Sequence, residues 1–126
     1  MAVARRGVIS LDCADPIALA EFWAAMLGGE VSVLSATTVL VRTDWVWLAA
    51  LGVDDHVAPT WPDPGVPKQI HLDLAVTDLD AAVAEAERLG ARAAGFQQAP
   101  DRWRVLLDPA GHPFCLTTQI PEPGAT

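Results

Sequence analysis

A histidine and an aspartate two positions apart, His71 and Asp73, are the residues of this chain best suited to chemistry. They lie in the run 70–76, where apolar residues alternate with polar or small ones in the period-two pattern of a strand. Both side chains therefore project from one polar face, about 7 Å apart along the strand. An imidazole beside a carboxylate can act as an acid–base pair or hydrogen-bond a ligand. Any chemistry is expected on this face.

A similar polar strand face precedes the first predicted helix, where Ser10 and Asp12 alternate with apolar residues. The pattern I-x-L-D at 9–12 recurs at 70–73, about sixty residues later. Such a repeat indicates two copies of one module, which pack as a single domain because each alone is too small to bury much core. Asp12 and Asp73 have two interpretations: a coupled acid pair, or ordinary hydrogen bonding to backbone or the opposite strand.

The two cysteines, Cys13 and Cys115, both lie in apolar strand patterns. We expect a buried, protonated thiol at each and no disulfide. A thiolate–imidazole pair of Cys115 with His71 is disfavoured, because the apolar neighbours of Cys115 stabilise the neutral thiol. The remaining histidines, His56 and His112, fall in predicted loops and are expected to be solvated.

Tryptophan supplies most of the aromatic content, with five Trp and no Tyr in the chain. Trp23 fits the apolar stripe of a helix and is predicted to be core. Trp45 and Trp47 are predicted on one face of a strand, and Trp103 on the penultimate strand. These three, with Trp61 in a proline-rich stretch, are candidates for lining a ligand cup. Trp61 is the one predicted to act as a lid or stacking wall that contributes little to the ligand-free core.

Hydrophobic periodicity and capping residues predict two helices, 16–27 and 78–89, each ended by a Leu-Gly pair. Four prolines within nine residues make the connecting segment 52–69 stiff and extended. The end of the chain, from about residue 121, is expected to be frayed. Strands are predicted from the period-two runs that begin at Val8 and cover 30–34, 37–42, 45–51, 70–76, 92–95, 102–107 and 114–118.

Composition excludes several function classes. With 126 residues, 52% hydrophobic and 19% charged, the chain is an ordinary globular domain. A net charge of −8 with only eight basic residues disfavours nucleic acid and anionic membrane surfaces as partners. No run resembles a signal peptide or a membrane span, so a cytoplasmic location is expected. No phosphate-binding glycine loop, CxxC pair or nucleophile motif is present.

Several motifs together resemble the glyoxalase, bleomycin-resistance and extradiol-dioxygenase superfamily, also called vicinal oxygen chelate proteins, and within it the small actinobacterial-type glyoxalase-like proteins. The motifs are the paired βαβββ modules, the helix from Asp15-Pro16 through Phe22-Trp23 to Leu27-Gly28, the strand HLDL at 71–74 and the ending DPAGHPFCL at 108–116. The resemblance implies an α+β fold in which two tandem modules form a cupped, mostly antiparallel eight-stranded sheet. It implies one domain, with module one at about 7–51, module two at about 70–119 and a tail at 120–126, and a homodimer.

Enzymes of that superfamily hold a divalent metal with one ligand from the first strand and one from the last strand of each module. The resemblance places these positions at Val8, at His71, near 48–50 and at Cys115. Only His71 is a usual ligand, and a catalytic ion needs about three protein ligands. We therefore expect no complete metal site and no cofactor, although a divalent metal stays possible. His71 has three interpretations: a hydrogen-bonding or acid–base group in a cup, a satisfied histidine, or a metal ligand.

Two function classes remain. The first is a small-molecule binding protein whose apolar, tryptophan-lined cup sequesters an aromatic or drug-like compound, as the bleomycin-resistance branch does. The second is a lyase, isomerase or dioxygenase that uses a metal or a bare acid–base pair, with His71 and Asp73 as candidate catalytic residues. The missing ligands favour the first. The predicted cup residues are Ser10, Asp12, Trp45, Trp47, Trp61, His71, Asp73, Trp103 and Cys115.

Overall fold

The computed structural model describes residues 2–124 and divides into two compact units, with the division between Ala58 and Pro59. Each unit contains one helix and one four-stranded sheet. In each sheet the first strand pairs in parallel with the last, and the other neighbours are antiparallel. The predicted α+β architecture of two βαβββ modules is confirmed. No helix in the described part of the chain is long and apolar enough to cross a membrane.

The first unit follows the predicted order of elements, and its sheet has the strand order β1-β4-β3-β2. The core lies between this sheet and the helix, which contributes the buried Phe22 and Trp23. The elements are β1 (Val8–Cys13), α1 (Pro16–Leu27), β2 (Glu30–Val33), β3 (Thr38–Arg42) and β4 (Trp47–Gly52).

The helix α1 begins and ends where the sequence predicts. The Asp15 side chain accepts a hydrogen bond from the backbone N–H of Ala18, and Pro16 occupies the first turn. At the other end Gly28 has φ 72°, the left-handed conformation that closes a helix at little cost only for glycine. These local signals are sufficient to fix both helix ends.

The second unit repeats this construction with the strand order β5-β8-β7-β6. The Asp78 side chain caps α2 by accepting from the N–H of Ala81, as Asp15 does in the first unit. The first strand is shorter than predicted, because Ile70 and His71 precede its first paired residue. The elements are β5 (Leu72–Ala75), α2 (Leu79–Leu89), β6 (Arg92–Ala93), β7 (Trp103–Leu107) and β8 (Pro113–Thr117).

The turn between β7 and β8 buries two polar residues. Asp108 accepts hydrogen bonds on Oδ1 from the N–H groups of Ala110 and His112, and Gly111 adopts φ 91°. His112 is only 2% exposed, so the prediction of a solvated histidine is wrong. Asp108 holds the turn against the last strand, and this places the His112 side chain inside the unit. His56 is also partly buried.

The proline-rich segment is not a stiff extended linker throughout. Residues 60–66 form a compact loop around Thr60, whose N–H donates to the carbonyl of Val66. The Thr60 hydroxyl accepts from the N–H of Val66 and lies within hydrogen-bonding distance of three carbonyls of the same loop. The hydroxyl thus accepts one backbone hydrogen bond and has three carbonyls in reach of its single proton, a local arrangement that composition alone did not indicate.

Candidate functional site

Strand pairing brings three chemically capable side chains together in the second unit. The parallel pairing of β5 with β8 places Asp73 opposite Cys115, and the antiparallel pairing of β8 with β7 places Cys115 opposite Val105. His71 stands just before β5. Its Nε2 lies 3.3 Å from Sγ of Cys115, and its Nδ1 lies 3.5 Å from Oδ2 of Asp73. We call this group, with the tryptophans described below, the His71 site.

The two polar groups are closer than the strand repeat predicts. The expected spacing of about 7 Å applies to backbone positions on one strand face. Here His71 precedes the paired part of the strand, and the two side chains converge. The imidazole is largely covered, at 19% side-chain exposure, whereas the carboxylate of Asp73 is 60% exposed. The covered imidazole is therefore held beside a carboxylate that solvent or a ligand can reach.

Cys115 is buried and protonated at neutral pH. Burial, helped by the nearby carboxylate of Asp73, raises the pKa of its thiol to about 11, and the ammonium group of Lys68 opposes the shift. The expectation of a neutral, inert thiol is thus supported. Cys13 is also buried, and the described residues contain no disulfide, as predicted.

Trp61 stands against the imidazole at the start of the compact loop. Its ring centroid lies 5.3 Å from that of His71 at an interplanar angle of 74°, an edge-to-face contact. The Lys68 ammonium lies 3.9 Å from the Trp61 ring centroid, within the range of a cation–π contact. Trp61 is therefore an ordered neighbour of His71 and is contacted by both side chains.

An apolar floor supports both tryptophans of this unit. Ala94, Val105 and Cys115 form a buried cluster, and the half-buried Trp61 and Trp103 pack against it. Because Trp61 packs on a core cluster, the prediction that it contributes little to the ligand-free core is not supported.

Gln97 and Lys68 are site residues that sequence reasoning missed. The Gln97 amide donates to the carbonyls of Ala94 and Val105 and accepts from the N–H of Val105, so it replaces missing strand pairing beside the floor. A glutamine in a loop carries no sequence signal for this role. Lys68 carried a weak sequence signal, because it is the single lysine of the chain.

The other predicted site residues belong to the first unit. Ser10 is exposed and pairs with Ala49, and the half-buried Asp12 pairs with Leu51. Trp47 is at the start of β4. Trp45 precedes the strand in a turn, so the prediction that both stand on one strand face is wrong for Trp45. The turn is held by the Thr43 side chain, which accepts from the N–H groups of Trp45 and Val46.

The capping aspartates give the correct alignment of the two modules. Asp15 and Asp78 occupy the same structural position, so Val8 corresponds to His71 and Ser10 to Asp73. The partner of Ser10 across the parallel pair, Ala49, then corresponds to Cys115. The repeated I-x-L-D pattern at 9–12 and 70–73 therefore does not mark equivalent positions, because it is shifted by two residues from the structural alignment. At these positions the first unit carries valine and alanine, neither of which binds metal.

A profile of the family described as "Glyoxalase-like domain" matches residues 8–117. The chain belongs to this family. A search among curated protein sequences found no match. The superfamily inferred from the sequence motifs is thereby confirmed.

Solved structures share the fold of this glyoxalase-like protein at low sequence identity. One is the bleomycin-binding protein of bleomycin-producing Streptomyces verticillus, in complex with copper(II)-bleomycin, at 22% identity, TM-score 0.61, and coverage of 95% of this chain and 100% of that chain. Another is the fosfomycin resistance protein FosX of Mesorhizobium loti, at 13% identity, TM-score 0.68 and coverage of 95% and 94%. A third is a point mutant of FosX from Listeria monocytogenes, complexed with Mn(II) and a dihydroxypropylphosphonic acid, at 14% identity, TM-score 0.67 and coverage of 95% and 93%.

The donor set at the His71 site fits a metal ion in part. One donor atom from each of His71, Asp73 and Cys115 can be chosen so that all lie within 4.8 Å of one another. With bonds of about 2.0 to 2.3 Å, neighbouring donors of a tetrahedral zinc ion lie roughly 3.3 to 3.8 Å apart. The 3.3 Å between Nε2 and Sγ suits a shared ion. Asp73 instead contacts Nδ1, where a carboxylate orients a metal-binding imidazole.

Ion selectivity follows from the chemistry of these donors. A thiol with a pKa of about 11 binds a metal only if the ion displaces its proton, which favours a thiophilic ion such as zinc over manganese. The sequence left His71 as the one usual ligand at the superfamily's metal positions, and the structure brings Cys115 and Asp73 beside it. Within the described residues, His71, Asp73 and Cys115 are the group that could hold a metal ion.

Proposed function

We propose that this glyoxalase-like protein binds and sequesters a small aromatic or drug-like molecule at the His71 site, without a complete metal centre. The observation that carries the proposal is the contact of Trp61 with His71, at 5.3 Å between ring centroids, above an apolar floor. Such a wall offers a planar ligand a stacking surface beside a polar anchor.

The polar side of the site supports recognition of one oriented group. The exposed carboxylate of Asp73 is available to a donor on the ligand, and His71 stands next to it. The neutral Cys115 thiol adds no charge beneath the tryptophans, so the apolar side of the site holds no buried anion. The ligand expected from this combination is planar and apolar, with a hydrogen-bonding group at one edge.

The bleomycin-binding relative supports the same class of function. That protein shares the fold and binds copper(II)-bleomycin. Sequestration needs affinity and no reaction, and the first unit supplies valine and alanine where the superfamily's enzymes have metal ligands. A binding role therefore needs only the residues present at the His71 site and does not require the metal ligands that the first unit lacks.

A binding screen with matched variants tests the proposal. Planar aromatic compounds and copper(II)-bleomycin are screened by thermal shift, and hits are titrated by tryptophan fluorescence and calorimetry. We expect His71→Ala to weaken a hit by roughly 1 to 3 kcal/mol through loss of a buried hydrogen bond. His56→Ala, which removes a histidine of the first unit, is the matched control and should change nothing. A screen without hits, or hits that bind His71→Ala as tightly as the wild type, would contradict the proposal.

Trp61 variants separate stacking from packing. Since Trp61 packs on the core cluster, we expect Trp61→Ala to cost about 1 to 2 kcal/mol of folding stability, less than a fully buried tryptophan. Trp61→Phe keeps a ring and should retain most of the stability, but a smaller stacking surface should weaken binding. Equal affinity of wild type and Trp61→Phe would indicate that Trp61 is only packing.

A metal-dependent lyase, isomerase or dioxygenase is the second candidate, favoured by the proximity of the three donors. Nε2 of His71 and Sγ of Cys115 would hold the ion, with Asp73 orienting the imidazole. A bound divalent ion would act as a Lewis acid on a ligand oxygen. We expect the purified protein to lack a stoichiometric metal, because two protein ligands, one of them protonated, hold an ion weakly. About one Zn, Ni, Fe or Mn per chain, retained through dialysis and lost in Cys115→Ser, would favour this candidate.

A further inference from the structure

From the geometry of the first unit we infer that it carries a pocket for a small planar aromatic anion, such as an aromatic carboxylate. The pocket, called here the Arg-Trp pocket, has a volume of about 770 Å³. This lies within the range of about 300 to 1,000 Å³ that small-molecule sites occupy. Its lining includes Arg5, Arg6, Val8, Asp44, Trp45 and Trp47.

Parallel pairing of the first and last strands of the unit builds this pocket. Val8 begins β1 and pairs with Trp47, the first residue of β4. The segment that enters β1, with Arg5 and Arg6, therefore runs beside the turn that enters β4, with Trp45. Because the Thr43 hydroxyl holds that turn, the Trp45 backbone is fixed at the pocket wall.

The aromatic walls of the pocket are displayed to solvent. Trp45 is 64% exposed, Trp47 38% and Val8 47%. Exposed apolar side chains that are contiguous mark binding sites more often than single ones do, because their hydration is unfavourable. Indole faces at this exposure offer stacking surfaces to a planar ligand at a small cost in conformational entropy.

The charge of the pocket selects an anion. The chain carries a net charge of −8, with sixteen acidic and eight basic residues, so its general field repels anions. At the pocket this balance of charge is reversed, because the lining contains two arginines, Arg5 and Arg6, and one carboxylate, Asp44. A guanidinium group binds a carboxylate in bidentate fashion and also stacks on aromatic rings. Two arginines beside two indoles therefore match a ligand that is both aromatic and anionic.

The neighbouring Arg42 packs beside Trp47 and is not needed to bind the ligand's anionic group. Its guanidinium carbon lies 6.0 Å from the Trp47 ring centroid, and its Nη2 pairs with Glu30 at 3.3 Å. Arg42 thus supports one face of Trp47, and its own charge is already balanced. Arg5 and Arg6 are the guanidinium groups assigned to the ligand.

The test uses three naphthalene probes that differ in charge. Naphthalene-2-carboxylate, neutral 2-naphthalenemethanol and cationic 2-naphthylmethylammonium are titrated into the full chain, and the five ¹⁵N-labelled indole signals are followed by NMR. Trp45→Phe and Trp47→Phe assign two of these signals. We expect the carboxylate to bind most tightly and to shift the Trp45 and Trp47 signals, with an affinity that falls as salt is raised.

Matched double variants test the role of charge. Arg5→Gln/Arg6→Gln should weaken the carboxylate about fivefold, as expected for two exposed charge contacts, and leave the neutral alcohol unchanged. Arg88→Gln/Arg92→Gln removes two exposed arginines of the second unit and should change neither probe by more than about twofold.

Three outcomes would overturn the inference. They are equal binding of the carboxylate and the alcohol at low salt, shifts confined to indoles other than Trp45 and Trp47, and no binding of any probe at millimolar concentration. A self-association that Trp45→Ala abolishes, together with loss of carboxylate binding in the associated state, would assign the patch to a second copy of the chain instead. The signals of Trp45 and Trp47 report on the Arg-Trp pocket, whereas that of Trp61 reports on the His71 site, so failure here is distinguishable from failure of the proposed function.

Discussion

The imidazole of His71 contacts a thiol on one nitrogen and a carboxylate on the other. Cys115 is protonated at neutral pH, so the 3.3 Å contact between its Sγ and Nε2 places no charge beside the ring, and Nδ1 on the other side of the ring faces Asp73. Any ligand that accepts from or donates to His71 must compete with one of these two partners.

The raised pKa of Cys115 predicts a loss of stability at alkaline pH. Below pH 9 the thiol is protonated in both the folded and unfolded chain, so its contribution is fully present. As pH rises toward the folded value of about 11, the unfolded chain loses the proton first, and the folded state is disfavoured. We expect urea unfolding in EDTA to show a decrease of about 2 kcal/mol between pH 8 and 10.5.

The composition of the chain makes this measurement specific. The sequence has no tyrosine, two cysteines and a single lysine, so few groups titrate in that window. Cys115→Ala should reduce the decrease, because the variant lacks the thiol whose pKa is raised. A profile that Cys115→Ala leaves unchanged would show that the slope has another origin.

At the scale of elements, helix capping is the feature that the two modules share most closely. In both, an aspartate outside the first turn accepts from the N–H three residues on, and a glycine with positive φ ends the helix. The caps fix where each helix begins relative to the strand before it. They therefore also fix which strand residue, Val8 or His71, stands at the equivalent position.

Removal of the cap of α2 tests this account. We expect Asp78→Ala to lower the free energy of unfolding by about 1 kcal/mol, because the Ala81 N–H loses its acceptor. Glu87→Ala removes one exposed carboxylate from the same helix and should change stability by less than about 0.5 kcal/mol. A thermal or urea unfolding series measures both. If the two variants were equally stable, the capping bond would contribute nothing measurable.

At the scale of the whole molecule, one module keeps the donors and the other does not. The two units have the same order of elements and the same pattern of strand pairing. Among residues 2–124, only the second unit places a histidine, a carboxylate and a thiol together, while the first has valine, serine and alanine at the corresponding positions. Repeat symmetry of the backbone therefore does not imply symmetry of function.

Association into a homodimer is the prediction that belongs to the whole molecule. In this superfamily βαβββ modules commonly pair between chains as well as within one. We expect light scattering coupled to size exclusion to give about twice the 13.4 kDa mass of the chain at micromolar concentration. The measurement is repeated over a hundredfold range of concentration to detect dissociation. A mass of one chain at every concentration would contradict the prediction.

Local features of the fold were predictable because each depends on residues near one another in the chain. Asp15, Pro16 and Gly28 predicted the ends of α1, and alternation of apolar residues predicted the strands to within a few residues. The protonated state of Cys115 also followed from its apolar neighbours, whereas the choice of His71 as the one usual metal ligand rested on the resemblance to the superfamily.

Tertiary structure decided which of these residues meet. The parallel pairing of β5 with β8 brings Asp73 opposite Cys115, and the loop around Thr60 brings Trp61 against His71. It also buries His112, which was expected to be solvated because it falls in a predicted loop. Such contacts join residues far apart in sequence, and their geometry depends on strand register and loop closure. Periodicity specifies the face of a strand but not its partner, so the sequence predicted the candidates and the packing assembled the site.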